Sequence, residues 1–330
     1  MRKILVILTV VFLLSAMLTG CTATPTDAPE KLNVCAIAGP TGVGLVDLMA
    51  KNDAGTATGK YAFTVVGDPS QAVAAITSGG ADIAAVPTNL AATLHKKTNG
   101  NVQVLAVNTL GVLYILERDG NTVNAVADLK GKTVYTSGQG ANPEYILRYL
   151  LEKNGLDPDR DVDIRFVDDN DTLGTLVANG TAKIAMVPQP KAEACVLADA
   201  SVRVALDVNG EWDKIAEGGA HLAMGCVIAR RDFLTASEAN RAAVEEFLRE
   251  YEASIAAVQS DVATAAEQCV TYGIIPKAPL AVRAIPLCHL TFVRGEELKT
   301  QLGGYLQVLY DHNPASVGGE LPGEDFYYVG

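Results

Sequence analysis

The sequence is poor in the groups from which catalytic and metal sites are built. Four histidines are spread over 330 residues, and none stands within metal-ligand spacing of another. H-E-x-x-H and G-x-S-x-G are absent, as are the P-loop and the dinucleotide fingerprint. These absences leave zinc hydrolysis, nucleophile-elbow hydrolysis and nucleotide-dependent chemistry without support, so no metal and no cofactor is expected. Basic residues are also scarce, with 26 Lys and Arg against 38 Asp and Glu. That balance disfavours nucleic acid and anionic lipid surfaces as partners. No C-x-x-C occurs. Cys35 and Cys226 sit in apolar strand-like runs, and Cys195, Cys269 and Cys288 fit no zinc pattern. The five are read as mostly free, buried thiols, with Cys269–Cys288 the one pair open to bridging. Asp157, Asp159, Asp161 and Asp163 alternate, but Val162 and Asp168 occupy the Gly and Glu positions of a calcium loop, so a solvated turn is expected.

The one long apolar run lies at the start. Arg2 and Lys3 precede an apolar stretch over residues 4–17, and Leu18-Thr19-Gly20-Cys21 follows. The pattern is that of an export signal, and the four residues resemble the bacterial lipobox, with Cys21 as the lipidated first residue of the mature protein. Residues 1–20 are read as signal peptide and 21–31 as a flexible tether rich in Pro and Thr. A multiply acylated Cys21 would hold the protein on a membrane without a spanning helix.

What the chain does have is one passage written twice, 101 residues apart. Residues 76–87 align with 177–188, and Gly, Ala, Ile, Ala, Val and Pro are identical. Each copy reads as a helix end, a Gly turn, a short buried strand and a Pro that closes it. Upstream, residues 63–68 meet 164–169 and residues 33–36 meet 133–136. Three strand-like segments recurring in one order imply an α/β lobe built twice, with a cleft between the copies.

The first copy places strands at 32–38, 61–66, 82–86 and 102–107, with helices at 45–51, 69–77 and 90–97. The second places strands near 162–167, 183–187 and 202–208. Its helix runs from about residue 142 to 154, with Asn142 as N-cap, Pro143 at the first helical position and Gly155 as the stop. Residues 222–229 return the chain to the first lobe. Crossings near 109–113 and 221–225 would form a two-strand hinge; His221 lies at one, as a structural residue. Lobe 1 then comprises 32–110 and 225–330, and lobe 2 comprises 111–224. The C-terminal extension is helical over 237–259, 261–272 and 295–310, ending in Phe326-Tyr327-Tyr328 packed on its own domain.

Candidate ligand contacts come from two loops that open helices after first strands, and from the ends of the third strands. The first loop offers Thr41 and Gly42; the second offers Ser137, Gln139, Gly140 and Ala141. Thr88, Asn89 and Gln189 follow the two prolines. Helix starts present unpaired N–H groups, Gly permits close approach, and ligands sit at the carboxyl ends of parallel strands. These motifs hold no Arg or Lys, so a neutral or weakly polar ligand is expected.

Together the Cys21 motif, Asp128-Leu129-Lys130-Gly131-Lys132-Thr133-Val134, the 137–142 loop, Asn154-Gly155-Leu156-Asp157-Pro158 and the 185–190 strand end resemble the lipid-anchored solute-binding proteins of ABC importers. Among these the chain looks most like the branch for sulfonates, taurine, nitrate and thiamine-precursor pyrimidines. The resemblance implies the type II periplasmic-binding-protein fold: two similar doubly wound lobes, a hinge, and ligand in the cleft. It implies a monomer on the extracytoplasmic face whose closed form is recognised by an ABC permease. It places ligand contacts at Thr41, Gly42, Thr88, Asn89, Ser137, Gln139, Gly140 and Gln189. Lys183 departs from the family's acid at that position, whose counterpart survives as Asp82. Two other functions stay open: a sensor for a signalling partner, and an enzyme like the pyrimidine-synthesising relatives, whose Cys and His clusters do not occur here.

Overall fold

A computed structural model describes residues 31–216 and 220–330; the export signal, Cys21 and the tether up to residue 30 lie outside the described residues. The first sheet begins with β1 (Leu32–Ile37), a strand buried along almost its whole length, as central parallel strands are. A four-residue turn of helix α1 (Pro40–Val43) and then α2 (Val46–Asp53) return the chain to edge strand β2 (Tyr61–Val66). Helix α3 (Pro69–Thr77) is capped by Asp68, whose carboxylate accepts from Ser70 N at 2.7 Å. Then come β3 (Ile83–Pro87), α4 (Thr88–Lys97) and β4 (Val102–Thr109).

The chain crosses to a second sheet with β5 (Leu113–Arg118) and repeats the plan: β6 (Thr133–Ser137), α5 (Asn142–Lys153), β7 (Asp163–Val167), α6 (Asn170–Ala178), β8 (Ile184–Pro188), α7 (Lys191–Ala198), β9 (Val202–Asp207) and α8 (Val208–Asp213). It returns as β10 (Gly225–Arg230) and continues through α9 (Arg231–Ala236), α10 (Glu238–Ser260), α11 (Val262–Thr271), α12 (Ala278–Ala284), β11 (Leu290–Val293) and α13 (Gly295–His312).

Strand order is β11-β4-β10-β3-β1-β2 in one sheet and β7-β6-β8-β5-β9 in the other. In each, three strands are parallel and the next two alternate: β10 is antiparallel to β3 and β4, as β5 is to β8 and β9. Each antiparallel strand arrives directly from the other lobe, so the two sheets exchange their linking strands. The repeat read from the sequence is therefore architectural: α3 and α6, and β3 and β8, lie 101 positions apart.

Two apolar layers cover the first sheet. On one face Val244, Phe247, Leu248, Tyr251 and Ile255 of α10 pack with Leu48 and Met49. Truncating a fully buried ring such as Phe247 to Ala would cost about 3–5 kcal/mol. The other layer runs across the crossings into lobe 2, where Trp212 meets Tyr149 of α5 and Tyr305 of α13 with ring centroids 4.7 and 5.8 Å away. Arg283 of α12 also reaches Glu193 of α7 at 2.6 Å. The C-terminal helices thus tie the lobes together from behind.

Local chemistry explains one mismatch of the repeat, Asp82 against Lys183. Asp82 accepts from Asn33 N and Nδ2 at 3.0 and 2.9 Å and pairs with Arg230, fastening β1, β3 and β10. Lys183 instead pairs with Asp119 at 2.6 Å on the surface. The five described cysteines are free and buried. The alternating acids of the 157–163 turn engage Arg160, Arg148, Lys130 and Arg165. Phe326 is buried, and Tyr328 N donates to Val104 O at 2.9 Å. One cap differs from expectation. The α5 helix starts a residue earlier, with Ala141 as its cap, and the Asn142 side chain makes no capping bond.

Candidate functional site

Ligands in open α/β sheets lie beyond the carboxyl ends of parallel strands. Here all six such ends meet in one cavity of about 450 Å³, within the range of small-molecule sites. Lobe 1 contributes Pro40 and Thr41 after β1, Pro69 after β2, and Pro87 and Asn89 at the end of β3. Lobe 2 contributes Ser137, Gly138, Ala141, Asn142 and Pro143 after β6, Asp168, Asp169 and Asn170 after β7, and Pro188 at the end of β8. The crossings supply Thr109, Val112, Met224 and Gly225 as a floor.

Buried hydrogen bonds fix this floor. Asn108, only 1% exposed, donates from Nδ2 to Thr41 O at 3.1 Å and to Tyr251 OH at 2.9 Å. Thr109 Oγ1 donates to Asn108 Oδ1 at 3.1 Å. Ser254 Oγ of α10 donates to Gly44 O at 2.6 Å and accepts from Leu48 N. Burial pushes the Tyr251 hydroxyl above its usual range, so it stays neutral here. In lobe 2, Ser137 Oγ donates to Asn170 Oδ1 at 2.6 Å, joining the ends of β6 and β7.

Of the residues singled out from the sequence, Thr41, Asn89, Ser137 and Ala141 line the cavity. The other five do not. Gly42 is buried beneath it, where an added Cβ would lie 2.5 Å from Ile37 O. Thr88 is fully buried, with Oγ1 donating to Ala223 O at 2.5 Å. Gln189 is 2% exposed; its backbone N donates to Val112 O, and Nε2 has no partner. Gln139 and Gly140 are exposed, and Gly140 N donates to Glu144 Oε2 at 2.7 Å. The close approach expected at Gly140 occurs at Gly225 instead. A Cβ there would stand 2.7 Å from Thr41 Cγ2 and 2.9 Å from Thr109 Cβ.

Sequence reasoning passed over Asp168–Asn170, although the doubled segment already aligned Asp68 with Asp169. It also gave Thr109, Met224 and Gly225 a hinge role only. The signal for Thr109 was there: a polar Asn-Thr pair follows the apolar run 104–107 at the end of β4, beside a crossing.

A larger hollow of about 550 Å³ lies at the other end of the lobe 2 sheet, around Glu117, Lys132 and Lys183. Its charges already have partners. Glu117 accepts from Thr122 N and Oγ1 and from Arg203, and Thr122 and Arg203 hold its carboxyl down at about 2 against the effect of burial. Lys183 pairs with Asp119, and Arg118 with Asp199 at 2.8 Å. Of strand carboxyl ends only that of the antiparallel β5 lies there, with none from a parallel strand, and the interlobe cavity is the better site.

A family model described as "ABC transporter, phosphonate, periplasmic substrate-binding protein" matches residues 58–268, more than half of the chain. The chain belongs to this family. It is thus an extracytoplasmic substrate-binding component of an ABC transporter, and its two lobes together have the periplasmic-binding-protein fold. An ABC transporter structure from Parabacteroides distasonis superposes with a TM-score of 0.76 at 21% identity, covering 91% of this chain and 99% of that one. The periplasmic aliphatic sulphonate binding protein SsuA of Escherichia coli superposes with a TM-score of 0.71 at 15% identity, covering 91% and 92%. The alkanesulfonate-binding SsuA of Xanthomonas axonopodis, bound to MOPS, gives 0.62 at 16% identity, covering 92% and 98%. These likenesses carry the fold. No curated protein matches the sequence. Among the described residues, no helix is long and apolar enough to cross a membrane.

Proposed function

We propose that this protein captures one small polar molecule between its lobes and delivers it, in a closed form, to the permease of an ABC importer. Lobe 1 takes in 32–110 and 225–330, lobe 2 takes in 111–224, and the two crossings act as the hinge. Thr41, Asn89, Ser137 and Ala141 touch the solute, while Gly42, Thr88 and Gln189 shape the walls from behind. The observation that carries the reading is the convergence of six strand ends, three from each sheet, on a single cavity. A ligand that touches both walls favours the closed arrangement by its differential affinity.

The protein makes and breaks no bond in the solute. The cavity lining contains no Cys, His, Lys or Arg, and the Ser137 hydroxyl spends its proton on Asn170 rather than on a base. It works as a monomer, held to the membrane by lipid on Cys21.

The test is mass spectrometry of the purified protein under native conditions. One small solute bound at one per chain, released unchanged on unfolding, is the expected result. Turnover of a bound compound would replace this reading with an enzymatic one.

A further inference from the structure

We propose that residues 283–289 form an interlobe strap behind the hinge, and that this strap sets how tightly the protein holds its solute without touching it. This rests on the receptor reading and names what regulates the same cavity.

The strap is rooted in lobe 1. It joins the end of α12 to β11 through a tight turn over Ile285–Cys288, and Ala284, Ile285 and Cys288 are buried in the apolar layer of α10. Its polar contacts reach lobe 2. Arg283 Nε donates to Glu193 Oε2 of α7 at 2.6 Å, and Tyr114 OH of β5 donates to Leu287 O at 2.8 Å. His289 Nε2 faces Asp207 at the end of β9 at 3.5 Å. The Leu287 side chain packs against the lobe 2 cluster of Tyr114, Leu173 and Ala192. Among the described residues it is the one member of that cluster from outside 111–224.

The first crossing stands between the strap and the cavity. Thr109 and Val112 line the cavity, while the two residues between them bond to the strap: Leu110 N donates to His289 O at 3.1 Å, and Gly111 O accepts from His289 Nδ1. A separate hollow of about 380 Å³ lies on the strap side, around Leu110, Pro286 and His289, and shares no lining residue with the cavity. Rotation about the crossing that narrows the cavity draws the lobes apart behind it. The Arg283–Glu193 contact of 2.6 Å ceases to be a hydrogen bond once stretched by about 1 Å. Opening it leaves Glu193, only 4% exposed, as a buried charge without its cation, which is costly. The Trp212–Tyr305 ring contact also joins the lobes, but apolar packing is non-directional and tolerates a slide. The strap therefore opposes closing. Apparent affinity scales with the fraction of the binding-competent form, so a contact that opposes closing weakens binding from outside the cavity.

The experiment places spin labels at Ala74→Cys on α3 and Ala178→Cys on α6, exposed positions on corresponding helices of the two lobes. A Cys21→Ser background leaves only buried native thiols beside them. Double electron–electron resonance then reads the interlobe distance. Two strap variants are compared with this parent: Arg283→Met/Glu193→Gln, which removes the pair without stranding a charge, and Tyr114→Phe. Either should shorten the mean distance in solute-free protein and tighten binding of the solute carried through purification at least threefold. Unchanged distance and affinity with only a lowered melting temperature would make the strap a purely structural tie. A longer distance with weaker binding would assign it to the closed form. Either result overturns the inference and leaves the receptor reading standing, since solute still shortens the distance in the parent. If no solute is carried, the distances of the solute-free variants decide alone. A carried solute that leaves the parent's distance unchanged would remove the receptor reading, and the strap's role with it.

Discussion

Asp68 and Asp169 stand 101 positions apart and perform the same local task in the two lobes. Each ends the loop after a second strand, and each carboxylate accepts from a backbone N–H in the first turn of the helix that follows. Ser70 and Thr172 hold the two carboxyls below the usual range. A lowered folded-state pKa contributes stability that is present above the unfolded value and lost as pH falls through the folded one. Replacing either residue by Ala should lower the melting temperature at pH 7 by roughly 1–3 °C, with the deficit vanishing under strongly acidic conditions. Scanning calorimetry at pH 7 and pH 3 checks this. An unchanged midpoint for both variants would show that the caps contribute nothing to the fold.

The opposite sign applies at the crossing. His289 Nδ1 donates to Gly111 O at 2.5 Å, and Nε2 faces Asp207 at 3.5 Å, with Asp213 further off and the Tyr114 ring stacked alongside. A carbonyl accepts only, so Nδ1 carries a proton, and the Asp207 contact is best made when Nε2 carries one too. Asp207 first, then the Gly111 carbonyl, raises the His289 pKa. Its stabilising contribution is full below about 6.5 and fades as pH rises through the folded-state value. His289→Gln should therefore destabilise the protein more at pH 5.5 than at pH 8.5. Urea midpoints at the two pH values read the difference, and equal losses would refute the link to charge.

Anchoring makes a separate prediction. If Cys21 carries the lipid, Cys21→Ser should move the protein from the membrane fraction to the soluble extracytoplasmic fraction. Folding and solute binding should be unchanged, because the described fold begins ten residues later. Fractionation with an immunoblot checks it; retention in the membrane fraction would require another anchor.

The fold could be read because its signals are local. The bounds of β2 and α3 follow directly from an apolar run between Gly-rich turns and from Asp-Pro before an Ala-rich face. The doubled Gly-to-Pro segment gave the duplicated architecture. Short elements were missed where sequence periodicity has too few turns to register: α8 has six residues, α12 seven and β11 four. The strand β11 exists because it pairs with β4, a contact no local pattern contains. The site was half legible for the same reason. Loops after first strands announce themselves with Gly, but whether a residue there faces the cavity depends on distant partners. Asn108 reaches Tyr251 across 143 residues to hold Thr41 in place. Thr88 turns away from the cavity because Ala223 O offers its hydroxyl an acceptor.

Glycine separates the two lobes' loops most sharply, and gives the last test. Gly140 has φ +72° with nothing within 4 Å of an added Cβ. Gly140→Ala should cost about 1 kcal/mol through backbone strain while leaving solute affinity unchanged, since the residue lies outside the cavity. Gly225 is the reverse case. Its added Cβ would press on Thr41, Asn108 and Thr109 together, at 2.7 to 2.9 Å, in the floor from which β10 leaves. None of the three can retreat freely, because Asn108 is bonded to both Thr41 O and Thr109 Oγ1. Gly225→Ala should therefore destabilise by about 1–3 kcal/mol and weaken solute binding at least tenfold. Paired measurements of denaturation and of affinity for the solute carried through purification distinguish the two residues. Equal affinity losses at Gly140 and Gly225 would mean that the solute reaches beyond Gly138 and Ala141 to Gly140 itself, and would extend the binding site further into lobe 2.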